Sequence, residues 1–155
     1  MTHYFSDNND LISNRKEHKF SFYGNDFIFI TDTGVFSKSG IDEGTIILLD
    51  AIMQENITGD VMDLGCGYGV ISIILKRLLN NINMTAIDIN GRAIELTQLN
   101  AEKNQVDITS FVNDGFTDIN DHYDVIISNP PIRTGKKVIY KLFDEAYEHL
   151  NESGT

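Results

Sequence analysis

Hydrophobic residues in the first third of the chain form two short aromatic runs and then one amphipathic stretch. The runs 20–23 and 27–30 are separated by Gly24-Asn25-Asp26, and this pattern predicts a β-hairpin. Farther on, apolar residues recur with helical spacing over 45–54, so a helix is expected there. Residues 1–18 are mostly polar and are predicted to form a separate N-terminal segment.

After Gly59 the pattern changes, and short apolar runs alternate with segments of helical periodicity. The predicted strands are 61–64, 83–87, 108–112 and 123–128, and the predicted helices are 70–79, 92–103 and 137–150. Such alternation is typical of a parallel sheet with helices packed on its faces. The predicted fold class is therefore α/β, a Rossmann-like, doubly wound and mostly parallel sheet with an N-terminal β-hairpin.

The predicted domain comprises residues 19–155. Its last helix leads into Ser153-Gly154-Thr155, and no further strand pattern follows. Because parallel sheets bury both faces, a sheet that ended here would leave strand 123–128 as an apolar edge. We therefore expect either a domain truncated before its last strands or an oligomer that covers this edge.

Composition narrows the functional classes. A length of 155 residues predicts one globular domain. The net charge of −11 argues against a protein that coats nucleic acid through bulk electrostatics. The lone cysteine, Cys66, excludes an internal disulfide and fits a reducing cytoplasm. No apolar run is long enough to span a membrane, and the histidines show no metal-ligand spacing with the cysteine. Neither a membrane anchor nor a metal site is expected.

The first candidate site is the glycine-rich segment Asp63-Leu64-Gly65-Cys66-Gly67-Tyr68-Gly69, between a predicted strand and a predicted helix. Glycines let the backbone turn sharply and approach a ligand closely, and the N-terminus of the following helix favours an anionic group. Dinucleotide sites use G-x-G-x-x-G, whereas here the third glycine comes one residue early and Val70 takes the expected place. The spacing disfavours a nicotinamide-dependent oxidoreductase and suits a smaller anion, such as the carboxylate of a methionine moiety. A plain strand-to-helix turn is the alternative.

Acidic residues follow the next two predicted strands. Asp88 stands where such folds hold the ribose hydroxyls of adenosine. The alternative is that Asp88 is a helix N-cap, but Asn90 is the better candidate for that role. Asp114 stands where it could accept a hydrogen bond from an adenine amino group, although Asn-Asp-Gly is also ordinary turn chemistry.

The second motif, Ser128-Asn129-Pro130-Pro131-Ile132, follows a nearly wholly apolar strand. Two prolines cannot continue a central strand and hold the backbone stiffly, which predicts a rigid rim at the carboxyl end of the sheet. The Asn129 side-chain oxygen and the Pro130 carbonyl could each accept one N–H of a planar amine. Together the two motifs predict methyl transfer from S-adenosylmethionine to an exocyclic nitrogen, governed by positioning. An ordinary strand-end turn is the alternative.

These residues resemble the class I S-adenosylmethionine-dependent methyltransferases of the small-domain type, specifically those that modify guanine N2 in 16S ribosomal RNA. The resemblance covers residues 20–155 and includes the segments 29–37, 41–44 and 129–137. It implies a cytoplasmic enzyme that uses S-adenosylmethionine and acts on ribosomal RNA or the small ribosomal subunit. It also implies a fold with three more strands beyond Gly154.

The resemblance assigns roles to individual residues. It implies cofactor contacts from Asp63, Gly65, Cys66, Gly67, Asp88, Ile89, Asp114, Gly115 and Asn129. Asn129 and Pro130 would hold the target amine as the catalytic pair. The candidate substrate contacts are Pro131, Ile132, Arg133, Lys136 and Lys137, of which the basic three are inferred from charge and position. Two alternatives stay open: a catalytically silent remnant that binds the cofactor or RNA, and the same chemistry on another RNA or a protein amide.

Overall fold

A computed structural model describes residues 12–35, 41–129 and 135–155. Within these ranges, a β-hairpin precedes a four-stranded sheet. The elements in chain order are β1 (Lys16–Phe22), β2 (Asn25–Thr31), α1 (Glu43–Met53), β3 (Gly59–Leu64), α2 (Val70–Leu78), β4 (Ile82–Asp88), α3 (Gly91–Lys103), β5 (Thr109–Val112), β6 (Val125–Ser128) and α4 (Lys136–Glu148). The predicted α/β class is confirmed, and the predicted elements are present with their ends shifted by a few residues.

The hairpin turns at two residues instead of the three predicted. β1 and β2 pair antiparallel from Lys16 opposite Thr31 to Phe22 opposite Asn25. The turn is therefore Tyr23-Gly24, and both residues have positive φ, 48° and 73°, as a type I′ turn requires. The hairpin includes residues 16–18, which the sequence pattern alone assigned to the polar N-terminal segment.

The main sheet has the order β5-β4-β3-β6, and its strands run parallel. Leu64 at the end of β3 is paired with Ile87 on one side and Ser128 on the other. Asp88 at the end of β4 is in turn paired with Val112. Because the four strands end in register, the segments that follow them meet along one edge of the sheet. This edge carries most of the predicted site residues.

Apolar side chains pack on both faces of the sheet. The larger cluster joins the hairpin, α1, α2 and α3 to one face, with Phe29, Leu49 and Ile73 fully buried. The second cluster covers the other face, where Leu142 and Ala146 of α4 pack against it; its buried members are Met62, Leu64, Ile87, Phe116 and Tyr123. Two covered faces are what the doubly wound prediction requires.

The outer edge of β6 is paired by the last described residues. Thr155 donates its N–H to the Asp124 carbonyl at 2.9 Å and accepts from the Ile126 N–H at 2.8 Å, the alternation of a parallel ladder. Upstream, Tyr123 forms a parallel bridge with Leu150. The expected truncation before the last strands stays a prediction.

Two asparagine side chains of α3 form hydrogen bonds with the backbone N–H and C=O groups on the outer edge of β2. The Asn100 side chain accepts from the Ile30 N–H at 2.7 Å and donates to the Ile30 carbonyl at 3.0 Å. One helical turn later, Asn104 accepts from the Ile28 N–H at 3.0 Å and donates to its carbonyl at 2.7 Å. Because a helical turn and two strand residues span similar distances, both amides match the strand. The hairpin is therefore attached to the domain by polar as well as apolar contacts.

Replacing Asn100 with alanine is expected to destabilise the protein by about 2–4 kcal/mol, since a buried polar group left unpaired costs about 1–3 kcal/mol. The substitution removes partners from Ile30 and from the Tyr68 carbonyl, to which Asn100 also donates at 2.8 Å. Urea unfolding measures the change. Gln98→Ala, on the exposed face of the same helix, is the control and should change the free energy of unfolding by no more than about 0.5 kcal/mol. If both variants lost the same free energy of unfolding, the Asn100 hydrogen bonds to β2 would not be stabilising the protein as proposed.

Candidate active site

The glycine-rich loop between β3 and α2 is held by its own backbone. The N–H groups of Gly65 and Cys66 both donate to the Ile87 carbonyl at 2.9 Å, and Gly69 donates to the Cys66 carbonyl at 3.0 Å. The Gly67 N–H donates to the Asp88 carboxylate at 2.8 Å. These N–H groups therefore already have acceptors within the protein. The same hydrogen bonds fix the conformation of the loop before any ligand binds.

The three glycines differ in what surrounds them. Gly65 and Gly67 have positive φ, 78° and 59°, and a Cβ built on either would meet no described atom within 4 Å. The space over both is open. Gly69, with φ 95°, is different because a Cβ there would lie 3.0–3.1 Å from Ile73 and Thr97. The first two glycines thus leave room for a ligand against the backbone, and the third allows the loop to pack on α2 and α3.

Asp88 links the glycine loop to the start of α3. One carboxylate oxygen accepts from Gly67, and the other accepts from the Asn90 N–H at 2.9 Å. Burial raises the pKa of Asp88, and these backbone hydrogen bonds oppose the rise. Each carboxylate oxygen can accept a second hydrogen bond. Asn90 is the N-cap, accepting from Arg92 and Ala93, so Asp88 does not cap α3 and its remaining accepting capacity is available to a ligand.

Asp63 is a buried carboxylate beneath the loop. Only 2% of its surface is exposed, and Ser72 donates a hydrogen bond to it at 2.6 Å. Burial raises the pKa of Asp63 to about 6; the Ser72 hydrogen bond lowers it in part, and the nearby Asp88 charge adds to the rise. A buried acid of this kind favours a cationic partner, because a positive charge beside it would offset the cost of its ionised form.

Cys66 is a buried member of the loop, and its surroundings do not favour a nucleophilic thiolate. Its Sγ lies 3.5 Å from the Thr97 hydroxyl, which donates to the Gly67 carbonyl at 2.9 Å. Burial raises the pKa of the Cys66 thiol well above its usual value. The thiol therefore stays protonated, and the reactive thiolate is not formed at neutral pH.

Asp114 lies in a turn at the end of β5. The Asn113 N–H donates to the Asp88 carbonyl at 3.0 Å, which brings this turn against the end of β4. Asn113 also donates its side-chain amide to the Gly115 carbonyl at 2.8 Å, so the turn is internally fixed. The Asp114 side chain is exposed, whereas Ile89 and Gly115 are half-buried.

Asn129 follows β6 directly beside the glycine loop, since Ser128 is paired with Leu64. Its side-chain Nδ2 donates to the Thr45 hydroxyl of α1 at 3.2 Å. Within the described ranges, no donor contacts the Asn129 Oδ1. One end of the amide is therefore held by the protein, and the oxygen is left to accept.

The remaining predicted site residues divide into two groups. Pro130, Pro131, Ile132 and Arg133 lie outside the described residues. Lys136 and Lys137 begin α4 and are exposed, and the helix starts after Gly135 without a side-chain cap.

Asp32 organises a cluster of polar contacts after the hairpin that the sequence pattern did not reveal. Its carboxylate accepts from the Asn14 N–H at 2.6 Å and the Ser13 hydroxyl at 2.8 Å, and Arg15 lies 3.6 Å away. Burial favours the neutral form, but these hydrogen bonds outweigh it and lower the pKa of Asp32. Arg92, at the start of α3, donates to the Thr33 carbonyl at 2.6 Å. Asn90 likewise donates to the Gly34 carbonyl at 3.0 Å, so the segment after the hairpin is fixed to the start of α3, just after Asp88.

Neither a metal centre nor a membrane span is found in the part of the chain that the structure describes. There, no group of three or more histidine, cysteine, aspartate or glutamate side chains is arranged to hold an ion. Among the same residues, no helix is both long and apolar enough to cross a bilayer.

Comparisons with known proteins agree with this geometry. The sequence model of the methyltransferase small domain family matches residues 26–155. The protein YbxB of Bacillus subtilis is 37% identical over 98% of this chain and 77% of its own length. Ribosomal RNA small subunit methyltransferase C of Haemophilus influenzae is 39% identical over 78% of this chain, but the matched region is 38% of that protein.

Solved structures share the fold. The T. thermophilus 16S rRNA N2 G1207 methyltransferase, in complex with AdoMet and guanosine, matches 93% of this chain with a TM-score of 0.83 and 23% identity. This chain covers 41% of that protein. A ribosomal protein L11 methylase from Lactobacillus delbrueckii matches 80% of the chain and 62% of its own length, with a TM-score of 0.65 and 23% identity. At these identities the likeness establishes the Rossmann-like methyltransferase fold and no finer property.

The family match decides the class of protein. It confirms the predicted enzyme class and S-adenosylmethionine as the cofactor of that class, and it argues against a nicotinamide-dependent oxidoreductase. The chain belongs to the methyltransferase small domain family of class I S-adenosylmethionine-dependent methyltransferases.

Proposed function

We propose that this protein transfers a methyl group from S-adenosylmethionine to the exocyclic N2 of a guanine in small-subunit ribosomal RNA. The observation that carries the proposal is the Asn129 amide. Its Nδ2 is held by Thr45, no described residue donates to its Oδ1, and Asn129 follows β6 beside the glycine loop. An acceptor fixed beside a cofactor crevice suits an amino group as the methyl acceptor.

Three features around the glycine loop support S-adenosylmethionine binding. The open space over Gly65 and Gly67 allows a ligand to lie against the backbone. Asp88 keeps accepting capacity that two ribose hydroxyls can use, and Asp63 supplies a buried negative charge for the ammonium of a methionine moiety. Asp114 and Gly115 are candidates for the adenine end.

The chemistry follows from what Asn129 can accept. S-adenosylmethionine supplies a methyl group on a sulfonium, a good electrophile that needs no further activation. The lone pair of an arylamine is delocalised into its ring, so the amine is a weak nucleophile. By accepting an N–H, Asn129 draws the nitrogen toward tetrahedral geometry and localises the lone pair, with the Pro130 carbonyl as the candidate second acceptor. As the N–C bond forms, the S–C bond of the sulfonium breaks and leaves its electron pair on sulfur. The cationic nitrogen then loses its proton readily to water, so catalysis rests on positioning.

The ribosomal RNA substrate is supported by the relatives and by local charge. The Haemophilus influenzae relative is a ribosomal RNA small subunit methyltransferase. In a chain with a net charge of −11, the exposed Lys136 and Lys137 lie just beyond the Asn-Pro-Pro segment. Phosphate contacts from lysines position a nucleic acid without reading its sequence. A substrate of this kind would place the protein in the cytoplasm.

Replacing Asp88 with alanine is expected to weaken S-adenosylmethionine binding about 100-fold or more. Hydrogen bonds to a charged group contribute about 1.5–3 kcal/mol each, and the substitution removes the candidate ribose acceptor together with the support of Gly67. Isothermal titration calorimetry measures the affinity. Asp60→Ala, on the exposed amino end of β3, is the control and should bind normally. Normal binding by the Asp88 variant would contradict the cofactor site.

Methyl transfer tests the proposal as a whole. We expect radiolabel from S-adenosylmethionine to enter either deproteinised small-subunit RNA or 30S particles, and nuclease digestion to release labelled N2-methylguanosine. Cofactor binding without transfer would favour a silent remnant. Label in another RNA, or in a protein amide, would support methyl transfer but show that the proposed substrate is wrong.

A further inference from the structure

The acceptor that holds Asn129 comes from a part of the chain far from either sequence motif. Thr45 lies in the first turn of α1, 84 residues before Asn129, and its hydroxyl accepts the Asn129 Nδ2 at 3.2 Å. We infer that Thr45 is a positioning residue, which holds the Asn129 amide with its oxygen toward the target amine. This inference rests on the proposed function and adds a residue to it.

The surroundings of Thr45 keep its hydroxyl in place. The Asp42 carboxylate caps α1 by accepting the Thr45 N–H at 2.7 Å. Thr45 itself is buried, 8% exposed, and farther along α1 Leu49 and Ile52 are anchored in the larger apolar cluster. The hydroxyl is therefore presented by a capped and packed helix, and helices hold side chains more precisely than loops do.

The chemistry explains why a hydroxyl is needed. An amine that is about to be methylated donates hydrogen bonds, so the Asn129 amide must present its oxygen to the amine and its NH₂ to the protein. That NH₂ then needs an acceptor, which a threonine hydroxyl provides. Valine has the same shape but cannot accept. Because Asn129 is exposed, its NH₂ would then bond to water, and the amide would be free to rotate. A misplaced catalytic group can lower a rate about 100-fold.

The test compares Thr45→Val with Thr45→Ser. We expect Thr45→Val to lower kcat about 10- to 100-fold, with little change in the affinity for S-adenosylmethionine, because Thr45 acts on the target amine through Asn129. Thr45→Ser keeps the hydroxyl and should retain kcat within about threefold of the wild type. Equal activity of the valine variant, equal losses in the two variants, or a loss confined to cofactor affinity would each overturn the inference.

A second readout does not depend on turnover. In ¹H–¹⁵N spectra, the Asn129 side-chain NH₂ signals, assigned by their disappearance in Asn129→Asp, report the hydrogen bond directly. We expect slowed solvent exchange of one NH₂ proton in the wild type and in Thr45→Ser, and fast exchange in Thr45→Val. Fast exchange in all three proteins would overturn the inference. Absence of methyl transfer by the wild type, with this protection intact, would count against the proposed function and not against the hydrogen bond.

Discussion

Replacing Asn129 with alanine is expected to lower kcat for methyl transfer about 10²–10³-fold, the range found when one preorganised polar group is removed from a reacting centre. The substitution deletes the oxygen that accepts from the target amine, so its lone pair stays delocalised in the ring. Most of the proposed cofactor contacts, at Gly65, Gly67 and Asp88, lie after the other strands. The affinity for S-adenosylmethionine should therefore change much less than kcat.

Two controls make this result specific. Asn129→Asp keeps an oxygen for the amine, and its second oxygen can accept from the Thr45 hydroxyl, so it should retain more activity than the alanine variant. Asn83→Ala removes an exposed asparagine at the amino end of β4, where its partner is Asp60, and should leave turnover unchanged. Unchanged turnover in Asn129→Ala would refute the role given to this residue.

Replacing Asp63 with asparagine is expected to stabilise the cofactor-free protein by up to about 3 kcal/mol above pH 6, since one pKa unit corresponds to about 1.36 kcal/mol. The pKa of Asp63 is raised by burial from 3.8 to about 6. The folded protein therefore binds more protons than the unfolded chain between these values, and wild-type stability falls as pH rises through that window. Asparagine keeps the shape and can accept from Ser72, but it carries no charge.

The same substitution should weaken S-adenosylmethionine binding about 10- to 100-fold at pH 7.5, because a charge-assisted hydrogen bond to the ammonium is lost. In the wild type, the affinity should fall as pH drops below 6 and Asp63 becomes protonated. Urea unfolding and calorimetry across pH 4–8 measure the two effects, with the exposed Asp60→Asn as the control. A variant that lost stability at pH 7.5, or bound the cofactor normally, would contradict this role for the buried charge.

Much of the fold could be predicted because its signals are local. Apolar runs and helical periodicity marked the strands and helices, and the glycine and Asn-Pro-Pro segments marked the strand ends that meet at one edge. The hairpin turn was misplaced because Tyr23-Gly24 adopts positive φ at a tyrosine, where a turn is less expected than at glycine or asparagine. The sequence placed the turn at Gly24-Asn25-Asp26 because this polar segment separates the two aromatic runs.

The partners of the site residues could not be predicted in this way. Thr45 with Asn129, and Asn100 with Ile30, are separated by 84 and 70 residues. Asn100 stands in an amphipathic helix, where a polar residue is ordinarily taken to face solvent. Such contacts depend on how helices pack on the sheet, which no local pattern encodes. Asp32 is a similar case, since its partner Ser13 precedes β1 and its partner Arg92 lies at the start of α3.

The most direct test of the central claim is methyl transfer to small-subunit ribosomal RNA by the wild type and Asn129→Ala, measured side by side with S-adenosylmethionine affinity. We expect labelled N2-methylguanosine with the wild type, and a variant that binds the cofactor but transfers at least about 100-fold more slowly. Equal transfer by both proteins, or cofactor binding by a folded wild type that methylates no RNA, would contradict the central claim.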